Sequence, residues 1–230
     1  ERRRKAIERL PEFDDLRDSA RNIKDHVLEN LDFYLERFEK KVIEAGGTVH
    51  WARDAAEAQE IIVGLCQDHG AQTVTKSKSM IGEEIAINDH LEAAGITPIE
   101  TDMGEYIIQL RNEPPSHLIA PAIHLSKSQV SDTFRKSHTH LEASRELEEP
   151  RSILDEARKI LRERFINADV GITGANMLVA ETGSLVIVTN EGNADLTMTL
   201  PKVHIAVASI EKIVPTLEDA STILRVLARS

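Results

Sequence analysis

Lysine and serine side chains are concentrated in TVTKSKSM, residues 73–80, where a strand pattern gives way to a helical one. Unpaired backbone N–H groups and the helix dipole favour an anion at the start of a helix. Lysine ammonium groups would add full positive charge there. We predict that this segment binds a carboxylate or phosphate through Lys76, Ser77, Lys78 and Ser79. In the alternative interpretation, Ser79 only caps the helix and the lysines are solvated.

A second candidate segment is GITGANMLVAETGSLVIVTNEGNADL, residues 171–196. Glu181 precedes Thr182 and Gly183 at a predicted hairpin turn, and its carboxylate could act as a base, a nucleophile or a binding group. The loop that follows the second strand is rich in amides and acids, which suits recognition of a polar small molecule. Its candidate residues are Asn190, Glu191, Gly192 and Asn193. The alternative is a plain turn made of turn-favouring residues.

Two further candidates lie at predicted junctions between strands and helices. Asp102 and Glu105 have the spacing of a helix capping box, and the spacing leaves open whether Glu105 also faces a cleft. His124 follows the apolar segment HLIAPAI and is a candidate proton acceptor in a cleft. Ligands of open α/β sheets bind beyond the carboxyl ends of the strands, where such junctions meet.

The remaining histidines do not predict a metal site. His138 and His140 form only a weak H-x-H pair in a polar segment, and we expect both at the surface. His204 lies inside a predicted strand, where a hydrogen-bonded core position is the simpler expectation. We therefore predict no metal ligands.

Composition narrows the classes of function. The chain has 230 residues, a net charge of −11, 41% hydrophobic residues and a single cysteine. The acidic charge argues against nucleic acid as the main partner, and no apolar run has the ~20 residues of a membrane span. One cysteine permits neither an internal disulfide nor an iron–sulfur cluster, which needs about four thiolates. A cytosolic location is the expectation. Both ends have helical patterns and the first residue is not Met, so we expect a longer protein.

The elements that must position these residues alternate between strand and helix. Apolar residues at three- and four-residue steps predict one long or two abutting helices over 14–45, stopped by Gly46 and Gly47. From there strands alternate with helices, which implies a mostly parallel sheet covered on both faces. We predict a three-layer α/β/α fold whose sheet is mixed because of the hairpin. The expected domains are an N-terminal helical segment, 1–46, and an α/β domain, 47–230.

Three finer expectations concern particular segments. TVHWA and HLIAPAIH are predicted strands, and the polar segment 134–150 is expected to be a surface excursion. Gly171 and Gly174 are expected to permit close backbone approach or unusual dihedral angles.

Several long strings resemble the lactate-utilisation protein B (LUD-domain) family. They include KSKSMIGEEIAINDHLEAAGITPIETDMGEYIIQL, EPPSHLIAPAIH, the 171–196 segment and PKVHIAVASIEKIVP. The resemblance implies a fold similar to the sugar-isomerase and CoA-transferase-like superfamily. It also implies a cytoplasmic complex with other lactate-utilisation subunits that oxidises L-lactate to pyruvate. Two [4Fe–4S] clusters are expected in a C-terminal domain that this chain lacks, and no cofactor is expected within the chain.

Three functions are compatible with these observations. The domain could bind a small carboxylate such as lactate or pyruvate, with Lys76 or Lys78 holding the carboxylate and His124 or Glu181 accepting the hydroxyl proton. It could instead be a scaffold for partner subunits and the cluster domain. A third possibility, suggested by the superfamily likeness, is acyl or CoA transfer with Glu181 as nucleophile. In each case we expect the isolated chain to be inactive in electron transfer.

Overall fold

The computed structural model describes residues 2–117 and 120–229 and forms two compact units. The parallel-sheet unit comprises residues 52–117, 120–174 and 189–207. The helical unit comprises residues 2–51, 175–188 and 208–229. The chain therefore passes between the units more than once, and the segment 171–196 contributes to both.

The parallel-sheet unit is built on four parallel strands in the order β2-β1-β3-β6. The strands are β1 (Thr73–Lys76), β2 (Thr97–Glu100), β3 (Val170–Gly174) and β6 (Val203–Val207). The helices are α4 (Ala55–Asp68), α5 (Met80–Glu84), α6 (Ile87–Ala93), α7 (Met103–Arg111), α8 (Lys127–Ser137), α9 (Pro150–Asn167) and α10 (Asn193–Thr199). Asp54, Asp102 and Ser126 cap helices, each through a side-chain oxygen that accepts a backbone N–H, and the cap at Asp102 was predicted.

Helices cover both faces of this sheet. Successive strand residues point to opposite faces, so the face that carries Val74 and Ile172 packs against α4 to α6. The face that carries Ile99 packs against α7 to α9, where Phe134 and Phe165 are buried. The predicted α/β class with a mostly parallel sheet between helices is confirmed. The likeness to the sugar-isomerase and CoA-transferase-like superfamily stays a prediction.

The helical unit joins the N-terminal helices to a small mixed sheet. Its helices are α1 (Arg2–Glu8), α2 (Phe13–Glu29), α3 (Leu31–Glu44) and α11 (Leu217–Leu227). Its strands, in the order β5-β4-β7, are β4 (Met177–Val179), β5 (Ser184–Val186) and β7 (Ile213–Val214). The predicted hairpin of β4 and β5 is confirmed as an antiparallel pair, and β7 pairs with β4 in parallel. The hairpin thus lies in a second sheet. The domain boundary at residue 46 stays a prediction.

Two predicted strands are wrong. The segment TVHWA has no regular structure, and only Val49 packs into a core, while the Trp51 indole donates to Glu39 at the surface. Of HLIAPAIH, residues 118 and 119 lie outside the described part, and the segment 121–124 is a turn. The carbonyl of Pro121 accepts both the backbone N–H and the hydroxyl of Ser116. The strand-forming residues of TVHWA are not sufficient, because no strand among residues 2–117 and 120–229 pairs with this segment.

Residues 80–93 form two helices, α5 and α6, because Ala86 between them adopts a left-handed conformation with φ of 46°.

The expectation that the polar segment 134–150 is a surface excursion is wrong. His138 is 3% exposed, and Phe134 and Leu147 are buried in the core beneath α8 and α9. His138 Nε2 lies 2.8 Å from the Tyr106 hydroxyl and Nδ1 lies 2.8 Å from Glu156, whose other oxygen accepts from Arg145 at 2.6 Å. These hydrogen bonds replace those that water would make to the buried side chains, which would otherwise be costly to bury. His140 is exposed, as expected.

Gly183 makes the hairpin turn possible. Its φ is +71°, a region in which other residues are strained. A β-carbon there would lie 2.7 Å from the Val42 backbone nitrogen and 2.8 Å from the Lys41 carbonyl carbon. The turn therefore packs directly on the end of α3.

Replacing Gly183 with alanine should destabilise the protein by about 2 to 4 kcal/mol, because it combines left-handed backbone strain with a steric clash. Urea denaturation of the wild type and Gly183→Ala measures the change. Gly64→Ala is the control, since Gly64 lies within α4 with open space around it. That variant should be stabilised by about 0.5 to 1 kcal/mol. Equal effects of the two substitutions would contradict the close packing of the turn.

Candidate functional site

The carboxyl edge of the parallel sheet is organised by a buried ion pair. Lys76 ends β1 and Glu100 ends β2, and the two residues are register partners. The Lys76 ammonium donates to Glu100 Oε1 at 2.8 Å, to Asn88 Oδ1 at 2.7 Å and to Glu83 Oε1 at 3.4 Å. Lys76 is 1% exposed and Glu100 is 4% exposed. Burial alone would lower the pKa of Lys76, but the charges of Glu100 and Glu83 outweigh burial and raise it.

The three N–H bonds of Lys76 are therefore all committed to protein acceptors. Asn88 also donates to Glu100 Oε1, at 2.7 Å. Glu100 Oε2 is buried and has no hydrogen-bond partner among the described residues. The ammonium of the pair thus serves the fold, and one carboxylate oxygen of Glu100 is left as a free acceptor among the described residues.

Glu105, in the first turn of α7, is the most perturbed carboxyl of this edge. Burial, together with the charges of Glu100, Asp102 and Glu83, raises its pKa to about 8, while the charge of Lys78 opposes them. Glu105 Oε2 is buried without a hydrogen-bond partner among the described residues. At neutral pH the side chain is therefore mostly protonated and can donate a hydrogen bond.

The expected capping box at α7 is half right. Asp102 Oδ1 accepts the backbone N–H of Gly104 at 3.0 Å and that of Glu105 at 3.4 Å. The Glu105 side chain does not return a bond to the backbone of Asp102 in the part of the chain that is described. Its carboxyl is turned toward the acidic cluster instead.

Lys78 and Glu191 belong to the same cluster. Lys78 is exposed, and its charge lowers the pKa of both Glu105 and Glu191, which places it close to both. Burial is the main cause that raises the pKa of Glu191, and Asp102 adds to it. The structure thus brings together Lys78, Glu105 and Glu191, which the sequence assigned to three different segments.

Serine residues shape the backbone between the two lysines. Ser79 Oγ accepts the backbone N–H of Gly82 at 3.1 Å, so Ser79 caps α5. The Ser77 backbone N–H donates to the Ile172 carbonyl and extends the pairing of β1 with β3. Both serines are buried, at 4% and 7% exposure. A β-carbon at Gly174 would lie 2.9 Å from Ser79 Oγ, so this glycine lets the Ser79 side chain pack against the backbone of β3.

The loop 190–193 leads into α10. Gly192 has φ of +76° and precedes α10, and its backbone N–H donates to the Thr189 hydroxyl at 3.2 Å. Asn193 Oδ1 accepts the backbone N–H of Ala194 at 3.0 Å. Asn190 and Glu191 are exposed. The turn chemistry accounts for Gly192 and Asn193, whereas Glu191 faces the carboxyl edge.

The other sequence candidates have local partners. His124 is exposed, with Nδ1 2.8 Å from Ser116 Oγ and Nε2 3.2 Å from Glu113 Oε2. Glu181 lies in the helical unit, where Oε2 accepts the backbone N–H of Leu217 at the start of α11. Thr182 donates to Ser184 within the hairpin turn, which also contains Gly183.

His204 was correctly predicted to make a hydrogen bond. Its Nε2 lies 2.8 Å from Thr173 Oγ1 on the neighbouring strand, and partial burial lowers the pKa of the imidazole.

The residues of this chain do not fit an iron–sulfur cluster. Cys66 is the single cysteine, it is buried in the core, and burial raises the pKa of its thiol to about 11. Within residues 2–117 and 120–229, no group of three or more His, Cys, Asp or Glu side chains is arranged to hold a metal ion. None of the helices in the same residues combines the length and apolarity needed to cross a membrane.

The sequence reading missed the acceptors around Lys76. Glu83, Asn88 and Glu100 come from three elements, and only the strand register brings them together. One signal was available. TVTK and TPIE both end in a charged residue, and consecutive parallel strands often lie side by side.

Comparison with known proteins gives one family and a consistent set of relatives. The LUD domain family model matches residues 35–230. The chain is 44% identical over 230 residues to Lactate utilization protein B of Geobacillus sp. (strain WCH70), covering 100% of this chain and 48% of that protein. It is 42% identical over 228 residues to Lactate utilization protein B of Bacillus thuringiensis (strain Al Hakam), covering 99% and 47%. The chain thus spans about half the length of the curated relatives it matches. No solved structure matches it significantly.

Breaking the buried ion pair should be costly. Lys76→Met leaves the Glu100 charge buried without its cation and should cost about 3 to 5 kcal/mol of unfolding free energy, measured by urea denaturation. Glu100→Gln should be similarly costly, because it leaves the Lys76 ammonium buried without its main anion. The double variant should lose about 1 to 3 kcal/mol less than the sum of the single variants.

Arg151→Gln is the control for this cycle, because Arg151 pairs with Asp155 on the exposed surface of α9. It should cost at most about 0.5 kcal/mol. Strict additivity of the Lys76 and Glu100 substitutions would show that the pair is not coupled.

Glu105 should make stability depend on pH. Its folded-state pKa is raised above the unfolded value, so the folded state holds the proton more tightly, and stability falls as pH rises from about 4.5 to 8. Glu105→Gln should remove this slope and gain about 1 to 3 kcal/mol relative to wild type at pH 8, after allowance for partial exposure.

Denaturation at pH 5.5 and pH 8 tests this expectation, with the exposed Glu92→Gln on α6 as the control. A Glu105→Gln variant that keeps the wild-type pH slope would overturn the assignment.

Proposed function

This chain belongs to the LUD domain family, and we propose that it is the LUD domain of a lactate-utilisation iron–sulfur protein. The shared name of its relatives and their identity along the whole chain support this proposal. In the proposal, the intact protein works with other lactate-utilisation subunits in the cytoplasm, in a complex that oxidises L-lactate to pyruvate. Its two [4Fe–4S] clusters would be bound outside this chain.

The role proposed for this domain is to bind a small carboxylate at the carboxyl edge of the parallel sheet. The observation that carries this role is the partly buried, protonated Glu105 beside Lys78. A carboxyl with a pKa near 8 at this edge is typical of a functional site, because burial and like charges are costly to the fold. Protonated Glu105 can lie next to a ligand carboxylate without repulsion and donate to it.

Lys78 rather than Lys76 would supply the positive charge to the ligand. The ammonium of Lys76 is buried and shared among Glu83, Asn88 and Glu100. Lys78 is exposed at the same edge, close to Glu105 and Glu191. Removing the ligand carboxylate from water is compensated by this charge and by the Glu105 hydrogen bond.

The acceptors of the edge favour a hydroxy acid over a simple acid. Glu100 Oε2 is buried without a partner among the described residues, and Asp102 and Glu191 add further carboxylate oxygens to the cluster. A ligand that carries only a carboxylate would leave these acceptors unpaired and would meet net negative charge. A 2-hydroxy acid offers a hydroxyl donor to these acceptors and a carboxylate to Lys78 and Glu105. It therefore matches both the acceptors and the donors of the site.

The assignment of a proton acceptor stays a prediction. His124 and Glu181 are both exposed, and each already has a partner, Glu113 for His124 and the Leu217 N–H for Glu181. The acyl-transfer alternative depends on Glu181 as nucleophile and has no further support from its contacts.

The scaffold alternative has a specific observation in its favour. Leu28, Phe33 and Ile43 on α2 and α3 are 53–58% exposed. Exposed large apolar side chains on helices are suited to contact with partner subunits. In this alternative the domain positions the cluster-bearing region and binds no small molecule.

The proposal is tested by isothermal titration of this chain and of the intact protein with L-lactate, pyruvate and propanoate. L-lactate should bind most tightly, because only it offers a hydroxyl donor together with the carboxylate. Lys78→Gln should weaken L-lactate binding at least tenfold, since a charge-assisted hydrogen bond is worth about 1.5 to 3 kcal/mol.

Lys202→Gln is the matched control, an exposed lysine of the same unit that precedes β6. Failure of L-lactate to bind either protein at about 10 mM would refute the carboxylate site and favour the scaffold. Equal losses from Lys78→Gln and Lys202→Gln would point to nonspecific charge effects and refute the assignment to Lys78.

A further inference from the structure

A cavity of about 230 Å³ lies on the α9 face of the parallel sheet. Thr73, the first residue of β1, lines it, whereas Lys76 ends the same strand and points to the opposite face. The start of the strand is ~10 Å from its end. The cavity is therefore separate from the carboxyl edge, and the proposed function does not use it.

The cavity has an apolar floor and a polar wall. Ile99 of β2 and Ile160 of α9 form the floor. The wall is formed by the polar residues Thr73, His140 and Asn167. An aliphatic group of a few carbons can pack on the floor while polar groups of the same molecule reach the wall.

Two opposite charges complete the lining. Glu163 and Arg164 are neighbours on α9, and both side chains line the cavity. Neither side chain has an ion pair or a hydrogen bond within residues 2–117 and 120–229. Elsewhere on α9, Asp155 pairs with Arg151 at 3.1 Å and with Arg158 at 3.8 Å.

We propose that this cavity binds a small apolar α-amino acid. Its carboxylate pairs with the Arg164 guanidinium, which can make two parallel hydrogen bonds to it. Its ammonium pairs with the Glu163 carboxylate, and its side chain packs on Ile99 and Ile160. A zwitterion fits because the lining carries one cation and one anion, whereas a simple anion or cation would meet a like charge.

The size of the cavity limits the ligand. About 230 Å³ admits an amino acid of the size of valine or leucine with room for one or two waters. The matched probes are L-valine, 3-methylbutanoate, which lacks the ammonium, and 2-methylpropan-1-amine, which lacks the carboxylate.

Titration of the isotope-labelled chain followed by NMR tests the proposal. L-valine should bind at least tenfold more tightly than either single-charge probe, with shift changes at Thr73, His140 and Asn167. Arg164→Gln and Glu163→Gln should each weaken L-valine binding at least tenfold. Arg162→Gln is the control, because Arg162 is exposed on the same helix and does not line the cavity. It should leave the affinity unchanged.

Three results would overturn the proposal. The first is no L-valine binding at about 10 mM with the wild-type fold intact by circular dichroism. The second is binding of 3-methylbutanoate as tight as that of L-valine, which would make the cavity an anion site. The third is an equal loss in Arg162→Gln. None of these results bears on L-lactate binding at the carboxyl edge, because Lys78 and Glu105 do not line the cavity.

Discussion

The burial of one lysine ammonium is the constraint on which the parallel-sheet unit depends. Lys76 is 1% exposed, so its charge has lost nearly all contact with bulk water. Such a charge is tolerated only when its N–H bonds are satisfied and an opposite charge lies close by. Glu100 provides that charge from the end of the adjacent strand, and Asn88 and Glu83 complete the acceptors from the helices that follow β1. A slip of β1 against β2 by one residue would turn one of the two side chains to the opposite face and unpair both. A buried ion pair contributes little net stability, but here it ties strand register to the geometry of the carboxyl edge.

Burial is the main reason why Glu105 holds a proton, and Glu100 of the same pair adds to it. Glu100, Asp102 and Glu83 already crowd negative charge near the start of α7, and burial penalises another carboxylate. The carboxyl edge therefore contains one acid that is neutral at pH 7 among several that are charged. This difference between neighbouring carboxyls separates hydrogen-bond donors from acceptors, and a site that binds a hydroxy acid needs both. Placing Glu105 where it must stay neutral is costly and has no evident purpose in packing. The proposed binding of a hydroxy acid gives this placement a purpose.

Much of the fold follows from local rules that the sequence displays. Capping residues, the glycine stops and the alternation of strand and helix predicted most elements, because each depends on residues adjacent in the chain. The failures share a different cause. TVHWA has strand-forming residues but no strand beside it, and His138 lies in a polar run that other helices cover. Both outcomes depend on partners distant in sequence. The same distinction holds for the candidate site. The sequence identified Lys78, Glu105 and Glu191 one by one, but the pairing of Lys76 with Glu100 could be seen only from the strand register.

Two glycines of β3 determine which residues reach the carboxyl edge. A β-carbon at Gly171 would lie 1.8 Å from the Thr197 carbonyl oxygen, so α10 packs against bare backbone at this position. Thr197 lies in the second turn of α10, and the segment before that helix carries Glu191 toward Lys78 and Asp102. Gly174 similarly admits Ser79, which starts α5 immediately after Lys78. Any larger side chain at Gly171 would push α10 outward and withdraw Glu191 from the cluster. The small residues of GITG are therefore a requirement of the site as well as of the sheet, since they bring a loop and a helix start within reach of Glu105.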